Sequence, residues 1–498
     1  MTHFLVVGAG SAGAVLASRL SELQAHTVTL LEAGPDHATV QELPEDLRDS
    51  RGLGGAVHQW GYQAEALLGR VIPYPRGRVV GGTGAINAAA AQWGRPEDFA
   101  AWQAIGLSEW GWADVEPWYR HLERDLDATA SHHGRNGPIP ISRYRLDELI
   151  PIQRAFHDAC VRNGFRDIHD HNDPASRGPC VGPWPMNRIG TTRTTSALAH
   201  LQAARGRSNL SIRSNTIVDR LLIEAQRTIG VRLASGEEIR ADYTVLAAGS
   251  FGSAAILMRS GVGPAGDLKA LGIEPILDHP DLGTHLLDHA AVPIYLVPHA
   301  GEAVIGRDPR FQLMARFTAE EPDDMQLVPT SWLDLRATPA LAEMAEAEVV
   351  TALRVALLLP KGHGSMRLTG ADPLAPPAIH LDFAAEPEDL RRLCKGLRLG
   401  WQVVKAMPSA YQWIACLNDE IVASDEALTD YIRAHIGTYC HALGTVPMGS
   451  VVDQRCKLRG LGGVSVVDAS IFPAVPRVVG HLTIMMIAER VAAWLADV

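Results

Sequence analysis

Short apolar runs alternate with glycine-rich or polar breaks near the start of the chain. Residues 3–7, apolar from residue 4 onward, are typical of a buried parallel strand, and residues 27–31, which mix threonine with valine and leucine, predict a second strand. Between them lie a glycine-rich turn over residues 8–13 and a helical pattern over residues 14–23. These elements predict a strand–helix–strand unit of about 30 residues, the building block of a parallel sheet.

Similar patterns return in the middle of the chain and at its end. Residues 52–94 are rich in glycine and lack periodicity, which indicates extended chain wrapped around a bound group. The later patterns predict antiparallel strands at 210–238, a strand at 243–247 with a helix reaching 258, sheet at 349–360 and 364–368, an amphipathic helix at 389–407, and a strand at 464–467 before a final helix. Since sheet-rich segments separate the pieces of parallel sheet, we expect two interleaved domains.

Composition excludes several classes of protein. The chain has 498 residues, of which 47% are hydrophobic and 20% charged, and its net charge of -11 argues against a nucleic-acid partner. The six cysteines form no CxxC pair, which favours free thiols in a reducing compartment. The first apolar run is too short for a signal sequence, and no run is long enough for a membrane span. We therefore expect a cytoplasmic protein.

The first turn has the spacing of a dinucleotide-binding fingerprint. Gly8, Gly10 and Gly13 form a GxGxxG motif between strand and helix. In this motif the first glycine makes the turn, the second admits a pyrophosphate, and the third lets the helix pack on the strand. Glu32 ends the second strand, where a carboxylate accepts hydrogen bonds from a ribose 2′-hydroxyl. The motif indicates a dinucleotide, and it leaves NAD and FAD both open.

A second glycine cluster at residues 77–87 favours a flavin, because an NAD enzyme has no need of it. The cluster resembles the first signature of the glucose-methanol-choline (GMC) family of FAD-dependent oxidoreductases. Residues 249–263 resemble the second signature, with Ala254 where proline or serine is usual. Further similarity follows the family order through most of the chain, at residues 60–62, 98–102, 282–289, 364–368, 372–373 and 466–470.

This resemblance implies an α/β fold in which a Rossmann-like FAD-binding domain is interleaved with a substrate-binding domain built on an antiparallel sheet with helices. We assign residues 1–150, 205–275 and 456–498 to the FAD-binding domain, and residues 151–204 and 276–455 to the substrate-binding domain. Some family members attach the flavin through a histidine directly before the asparagine of the first signature. Ile86 stands at that position, so we expect non-covalent FAD.

The resemblance also gives roles to individual positions. It implies that Val218 holds the adenine through its backbone, that residues 87–90 line the flavin, and that residues 468–469 face the ribityl chain and pyrophosphate. The cofactor-binding residues that we predict are Gly8, Gly10, Ser11, Ala12, Gly13, Glu32, Ala33, Arg78, Val80, Gly82, Thr83, Asn87, Ala88, Ala89, Ala90, Val218, Ala248, Asp468, Ala469, Leu482 and Thr483.

Two histidines near the end of the chain fall on catalytic positions of the family. Residues 441–449 resemble its H-x-x-G-T-x-x-M-G motif, which makes His441 the predicted general base. His481 occupies the position of the second catalytic residue, and the helix after it points its positive N-terminus at the flavin. A neutral imidazole can take the hydroxyl proton of an alcohol while hydride passes to flavin N5, and a second imidazole can fix the hydroxyl.

The sequence thus predicts an FAD-dependent oxidoreductase acting on a primary or activated secondary alcohol of little or no charge. The alternative is a flavin-containing hydroxynitrile lyase on the same fold, and a third reading is a binding protein on a decayed enzyme scaffold. Oxygen, a quinone and a redox carrier all remain open as electron acceptor. Residues 169–173 predict a polar loop without a metal ion. The substrate pocket is the least defined part of this prediction, because Ala91, Trp93 and His285 stand where the family usually has tyrosine, arginine and asparagine, respectively.

Overall fold

The computed structural model describes residues 1–128, 130–297, 305–336, 339–408, 412–413 and 416–497. A parallel five-stranded sheet collects strands from the beginning, middle and end of the chain. In spatial order its strands are Leu210–Arg213, His26–Leu31, Thr2–Val7, Tyr243–Leu246 and Val464–Val466.

Helices cover this sheet and account for its apolar strands. Side chains of Thr2–Val7 from Phe4 onward are almost fully buried, as expected of a parallel strand with helices on both faces. The first helix, Ser11–Leu20, packs against the last helix, His481–Leu495. The two ends of the chain therefore meet beside the same sheet.

Two sequence predictions in this region need correction. The first helix spans Ser11–Leu20 and not 14–23, because Gly10 caps it and the turn therefore ends earlier than its last glycine. Leu210–Arg213 lies parallel to His26–Leu31 and does not form the first of a set of antiparallel strands. Apolar alternation indicates a strand but carries no information about the direction of its neighbour.

A mostly antiparallel eight-stranded sheet forms the second large unit. Its strands are Gln412–Trp413, Ala290–Val297, Val349–Leu357, Met325–Asp334, Leu313–Phe317, Cys180–Pro183 and Arg166–Asp167, with Gly437–Thr438 also paired to Ala290–Val297. Helix Pro387–Ala406 packs on one face, where a Cβ at Gly396 would lie 2.8 Å from Val355. The predicted amphipathic helix is thus present, and the two sheets confirm the predicted α/β class with interleaved units.

Smaller elements connect the two sheets. The remaining strands are Gln63–Leu67, Arg70–Pro73, Glu123–Asp125, Ile139–Ile141, Arg188–Ile189, Thr192–Arg193, Val218–Glu224, Arg227–Leu233, Glu238–Arg240, Val262–Gly263, Leu277–Asp278, Ser365–Arg367 and Ala378–His380. The remaining α-helices are Glu45–Arg48, Pro96–Ala104, Trp112–Leu122, Pro151–Arg162, Gln202–Ala204, Gly249–Arg259, Ala265–Ala270, Pro339–Ala345, Asp419–Ala423 and Asp425–His435.

The strands fall into alternating stretches of the chain. All those of the five-stranded sheet lie within residues 1–150, 205–275 and 456–498, and all those of the eight-stranded sheet within 151–204 and 276–455. The domain boundaries themselves stay a prediction. No helix in the described ranges has both the length and the apolar character that crossing a membrane requires.

A buried network of charges lies beside the loop at residues 169–173. His133 donates from both ring nitrogens, to Glu123 at 2.7 Å and to Asp170 at 2.9 Å, and Arg143 bridges Asp170 and Asp125. Several of these groups are close enough to hold a metal ion. The arginine and the imidazolium offset two of the three carboxylate charges and hydrogen-bond to all three groups, and the predicted absence of a metal stays a prediction.

We predict that the contribution of His133 to the free energy of unfolding falls as the pH rises into the alkaline range. Burial opposes its charge, but hydrogen bonds with Asp170 and Glu123 outweigh burial and raise the pKa of His133 to about 9. Since an unfolded histidine has a pKa of about 6.5, this stabilisation is complete below that pH and is lost as pH rises through 9. At pH near 7, His133→Gln should lower Tm by roughly 2–5 °C.

Thermal melts between about pH 7 and pH 10 check this prediction. The deficit of His133→Gln should shrink as the pH rises, whereas exposed His169 gives a matched control, His169→Gln, that melts like the parent throughout. A deficit that stays constant to pH 10 would show that His133 acts through packing alone.

Candidate active site

The two glycine clusters of the sequence lie in direct backbone contact. A Cβ at Gly82 would lie only 2.7 Å from Cα of Gly10, and the amide of Gly81 donates to the carbonyl of Ala9 at 2.8 Å. Gly13 packs so tightly that a Cβ there would lie 1.8 Å from the carbonyl oxygen of Gly8. At Gly10, in contrast, only Cα of Gly82 comes within 4 Å of an added Cβ, at 3.8 Å. Protein packing therefore requires Gly13 and Gly82 but not Gly10, which fits a ligand approaching Gly10.

Glu32 lies beside this turn. Its carboxylate accepts hydrogen bonds from the amides of Ala9 and Gly34, both at 2.9 Å, and burial raises its pKa to about 7. Each oxygen keeps a further lone pair, so the side chain can still bind a ribose hydroxyl. The amide of Thr216 donates to the Glu32 carbonyl at 2.7 Å and thereby brings strand Val218–Glu224 to the same edge.

Residues 78–83 extend the turn. The Arg78 guanidinium stacks 4.9 Å from the Trp60 ring and donates to the Ala33 carbonyl at 3.3 Å. The Val80 amide donates to Pro35, while the Thr83 hydroxyl accepts from the Gly77 amide. Ser11 and Ala12 start the first helix beside them. The predicted pyrophosphate and ribose contacts are thus adjacent in space.

The side chain of Asp468 forms hydrogen bonds within the protein, and its predicted place beside the cofactor stays a prediction. Both carboxylate oxygens are used within the protein: one accepts from the Gly249 amide and the Ser253 hydroxyl, the other from the amide and hydroxyl of Ser470. Ala248 is tied to the same cluster, since its amide donates to the Ser253 hydroxyl. The side chain joins the last strand to helix Gly249–Arg259, so any contact of residues 468–469 with a cofactor falls to the backbone.

A buried arginine lies next to the segment predicted to line the flavin. Arg193 donates to the carbonyls of Leu47, Asp49, Gly52 and Asn87, and none of its described partners is a carboxylate. Burial lowers its pKa to about 10, which still leaves it charged at neutral pH. The Asn87 side chain accepts from the amide of Ala89, which adopts a φ of 56°. Sequence reasoning missed this positive charge, because nothing in the local pattern singles out Arg193.

His441 is held by its backbone and by its ring. The carboxylate of Asp288 accepts from the His441 amide at 2.8 Å and from the Tyr74 hydroxyl at 2.7 Å. Nδ1 of His441 lies 2.8 Å from Nδ1 of His289. The residue before it, Cys440, has a φ of 63°, in the left-handed region that side chains other than glycine seldom adopt. Both its amide and its ring therefore have fixed partners.

His289 fixes the tautomer of His441. Nε2 of His289 lies 2.8 Å from the carbonyl oxygen of Pro476, which can only accept, so Nε2 carries the proton. Burial lowers the pKa of His289 to about 4, and the neutral ring therefore presents a lone pair at Nδ1. Nδ1 of His441 must donate to it, which leaves the lone pair of His441 on Nε2. His289 lies in the segment 282–289 that resembles the family, but its role depends on its contact with His441, 152 residues further along the chain.

His481 is the first residue of the last helix, and not the residue before it as predicted. Its Nδ1 lies 3.1 Å from the Ser11 hydroxyl, and a Cβ at Gly84 would lie 2.8 Å from its ring. Nε2 is buried and has no hydrogen-bond partner in the described parts of the chain. Burial and then the charge of Arg193 lower its pKa to about 4, so the imidazole is neutral.

The two histidines lie near each other, since His481 is among the groups that lower the pKa of His441. Gly480, directly before His481, lies against Leu443, two residues after His441. Burial, then the neighbouring histidine His289, holds the pKa of His441 well below its usual range. Both imidazoles are therefore neutral at physiological pH. One has a fixed lone pair and the other an unpartnered buried nitrogen, which suits proton transfer from a small ligand.

An aromatic cluster adjoins the segment at residues 88–90. The members of this cluster are Tyr144, Trp184, Met186, Phe311, Met314, Val328 and Val479, packed with Ala89 and Ala90 and, at its edge, Ala88 and Tyr439. The Trp184 indole nitrogen and the Tyr439 hydroxyl are buried without a partner in the described residues. The cluster has the apolar character, with a few polar groups, that is typical of a small-molecule pocket.

The three positions that depart from the family pattern lie outside this aromatic cluster. Ala91 is buried, and the Trp93 indole donates to Glu123 at 2.8 Å. Trp93 also stacks 5.1 Å from Tyr119, whose hydroxyl shares a 2.6 Å hydrogen bond with Thr483. Thr483 and its neighbour Leu482 are buried. His285 contacts His363 instead, with ring centres 4.8 Å apart.

Family models match both halves of the chain. The N-terminal model of the GMC oxidoreductases matches residues 2–291, and the C-terminal model matches residues 360–488. The chain belongs to the GMC oxidoreductase family. This confirms the predicted family, and it makes the protein an FAD-dependent oxidoreductase of the GMC type.

Characterised GMC relatives extend over the full length. The chain is 30% identical to 5-(hydroxymethyl)furfural oxidase of Methylovorus sp. (strain MP688), over 98% of this chain and 97% of that protein. It is also 30% identical to an oxygen-dependent choline dehydrogenase of Rhizobium etli, over 95% and 91% of the two chains. Pyridoxine 4-oxidase from Mesorbium loti has a similar structure, with a TM-score of 0.89, 28% identity and complete coverage of both chains.

We predict that Gly10→Val folds but fails to retain FAD. A Cβ at Gly10 meets no protein atom closer than 3.8 Å, and Gly10 has an ordinary φ of -75°, so the substitution should act mainly by blocking the approach of a pyrophosphate. FAD content is measured by absorbance, and the Tm of both proteins is compared after the flavin has been removed. Gly206→Val, at a glycine with open space around it, is the matched control and should keep its FAD. A normal FAD content in Gly10→Val would contradict the site.

We also predict that His289 controls the rate through His441. His289→Met should slow substrate-dependent flavin reduction by about 10- to 100-fold with FAD still bound, because it removes the acceptor that fixes the tautomer. His289→Gln has similar size and can accept from His441 while donating to Pro476, so it should recover most of the rate. Stopped-flow reduction measures both variants. Equal rates in the two variants would leave His289 with a packing role only.

Proposed function

We propose that the protein oxidises a primary or activated secondary alcohol to the carbonyl compound, with His441 as general base and His481 as its hydrogen-bonding partner. The observation that carries this proposal is the fixed lone pair on Nε2 of His441, beside a second neutral imidazole. The full-length relatives named above support it, since their names describe enzymes that act on 5-(hydroxymethyl)furfural, choline and pyridoxine, each of which has a hydroxyl group.

The residues divide the chemistry between them. Nε2 of His441 takes the proton of the substrate hydroxyl, and His481 donates or accepts a hydrogen bond at the same oxygen and stabilises its developing negative charge. Bound FAD supplies the acceptor for the hydride that leaves the carbon. The charge of Arg193, next to Asn87, favours negative charge on any group that lies against that segment.

The cofactor would be held by the predicted set of residues, in which the side chains of Asp468 and Thr483 also have hydrogen-bond partners within the protein. We propose that the attachment is non-covalent, because the isoleucine at position 86 has no nucleophile. Acid precipitation should then release all flavin into the supernatant. Flavin that stays with the precipitated chain would disprove this part of the proposal.

A hydroxynitrile lyase is the second candidate, since a histidine pair beside FAD also suits proton transfer without redox chemistry. An anaerobic screen with benzyl alcohol, 5-(hydroxymethyl)furfural, pyridoxine and choline separates the two. An oxidoreductase bleaches the flavin with at least one alcohol, whereas a lyase leaves it oxidised and releases cyanide from mandelonitrile. Timed exposure of the bleached enzyme to oxygen or a quinone then identifies the electron acceptor.

We predict that His441→Ala slows flavin reduction by on the order of 10²- to 10⁴-fold while FAD stays bound, which is the usual contribution of a general base. The parent's limiting rate should stay level from about pH 8 to about pH 6. The pKa of His441 is lowered, so the lone pair is lost only as pH falls through that lower value. Anaerobic stopped flow measures both effects; a loss of less than about 5-fold would exclude His441 as the base.

His481 variants test the division of roles. His481→Asn keeps a hydrogen-bonding group and should preserve more of the rate than His481→Ala. The double change with His441→Ala should cost less than the product of the single losses, because both residues serve one proton transfer. A His481→Ala variant that reduces flavin at the parent rate would remove it from the mechanism.

A further inference from the structure

Two arginines beside the aromatic cluster lack a partner for their charge. Arg310 and Arg354 form no hydrogen bond or ion pair through their guanidinium groups with any residue that the structure describes. Nε of Arg310 is buried, and burial followed by the charge of Arg354 lowers the pKa of Arg310 to about 9. The Arg310 guanidinium therefore remains charged at neutral pH. A pair of close, unneutralised cations is unusual in a chain whose net charge is -11.

Both arginines contact the aromatic cluster. The Arg310 guanidinium lies 5.7 Å from the ring centre of Phe311 and 4.9 Å from that of Trp332. Arg354 is paired directly with Val328 across two strands of the eight-stranded sheet, which places the two side chains on the same face. Val328 and Phe311 are members of the cluster, so the cations border its apolar wall.

The cluster connects the arginines to the catalytic region. The Arg354 guanidinium lies 6.0 Å from the Tyr439 ring, and that ring lies 5.4 Å from the His441 ring. The charge of Arg354 also acts on the Cys440 thiol, since it lowers the pKa that burial raises there. One aromatic residue thus separates the unpaired cation from the proposed base. This spacing suits a small ligand with its hydroxyl at one end and another group at the other.

Internal stabilisation does not explain the two arginines. The buried Arg193 has carbonyl partners for its guanidinium, and Arg143 has carboxylates. Arg310 and Arg354 instead repel each other, and their aromatic neighbours compensate the loss of hydration only in part. An arginine fork is well suited to bind a carboxylate with two parallel hydrogen bonds.

We propose that the substrate alcohol carries a carboxylate, which Arg310 and Arg354 bind while its hydroxyl lies at His441, with an aromatic ring between the two ends. The proposal rests on the proposed alcohol oxidation and replaces the sequence-based expectation of a substrate of little or no charge. It also predicts discrimination against cations such as choline, because the two arginines repel them.

Two matched probes test the proposal on the FAD-loaded enzyme. 4-(Hydroxymethyl)benzoate and benzyl alcohol share the ring and the reacting group, and only the first has a carboxylate. The ratio of their kcat/KM values should favour the carboxylate by roughly 10- to 100-fold, the range of a hydrogen bond to a charged group. The preference should appear mainly in KM and should fall as salt is raised.

Variants of the two arginines test whether their guanidinium groups cause the preference for the carboxylate probe. Arg310→Met and Arg354→Met should each lower that ratio by about 10-fold, and Arg354→Lys should keep part of it because the charge remains. Arg240→Met, at an exposed arginine paired with Glu224 far from the cluster in sequence and sheet, is the matched control and should leave the ratio unchanged. If a variant fails to fold, the probe ratio and its salt dependence in the parent still decide the question.

Binding of benzoate separates this proposal from the proposed function. Benzoate has no hydroxyl to oxidise, so perturbation of the flavin spectrum or calorimetry reports binding alone. Benzoate binding that depends on both arginines, without turnover of any alcohol, would support the carboxylate site and overturn the alcohol oxidation. Turnover of benzyl alcohol with a probe ratio near one and no benzoate binding would overturn the carboxylate site and leave the oxidation standing.

Discussion

The hydrogen bond between Ser11 and His481 joins the start of the first helix to the start of the last one, 470 residues away along the chain. The two helices pack along their lengths beside the five-stranded sheet, so the N-termini of both point into one region. Gly84 lies beside both partners of this hydrogen bond, where an added Cβ would come within 3.0 Å of the Ser11 hydroxyl and 2.8 Å of the His481 ring. The candidate site therefore exists only when both ends of the chain are in place, and it cannot form in an isolated N-terminal fragment.

Burial determines the electrostatics of the site. In water an imidazole has a pKa of about 6.5 and is partly charged near neutrality. In this structure the loss of hydration lowers the pKa of His289, His441 and His481 alike, and the positive charge of Arg193 adds to the effect at His481. A neutral base needs a defined tautomer as well as a lowered pKa. The chain Pro476–His289–His441 supplies the tautomer through hydrogen bonds, in a place where charge would be costly.

The sequence predicted those features that depend on local pattern. The fingerprint glycines, Glu32 and the strand–helix–strand unit follow from residues within one short segment, and the family resemblance extended this to the fold. Local pattern could not show that Gly249 and Ser253 donate hydrogen bonds to the Asp468 carboxylate, since those two partners lie 219 and 215 residues away along the chain. His289 and Arg193 were missed for the same physical reason. Each acts through contacts that only the closed topology creates.

Arg310 and Arg354 also depend on contacts that only the folded chain creates, and these contacts bear on the stability of the protein. A half-buried cation without a partner in the described residues lowers the stability of the protein, and a second one beside it adds repulsion. Residues that break the rules of internal stabilisation are expected at functional sites, where a ligand supplies the missing contact. Arg193 shows that this protein can satisfy a buried guanidinium with its own carbonyls. The guanidinium groups of Arg310 and Arg354 have no such partner among the described residues, and the aromatic cluster lies between them and His441, so we infer that a ligand is their partner.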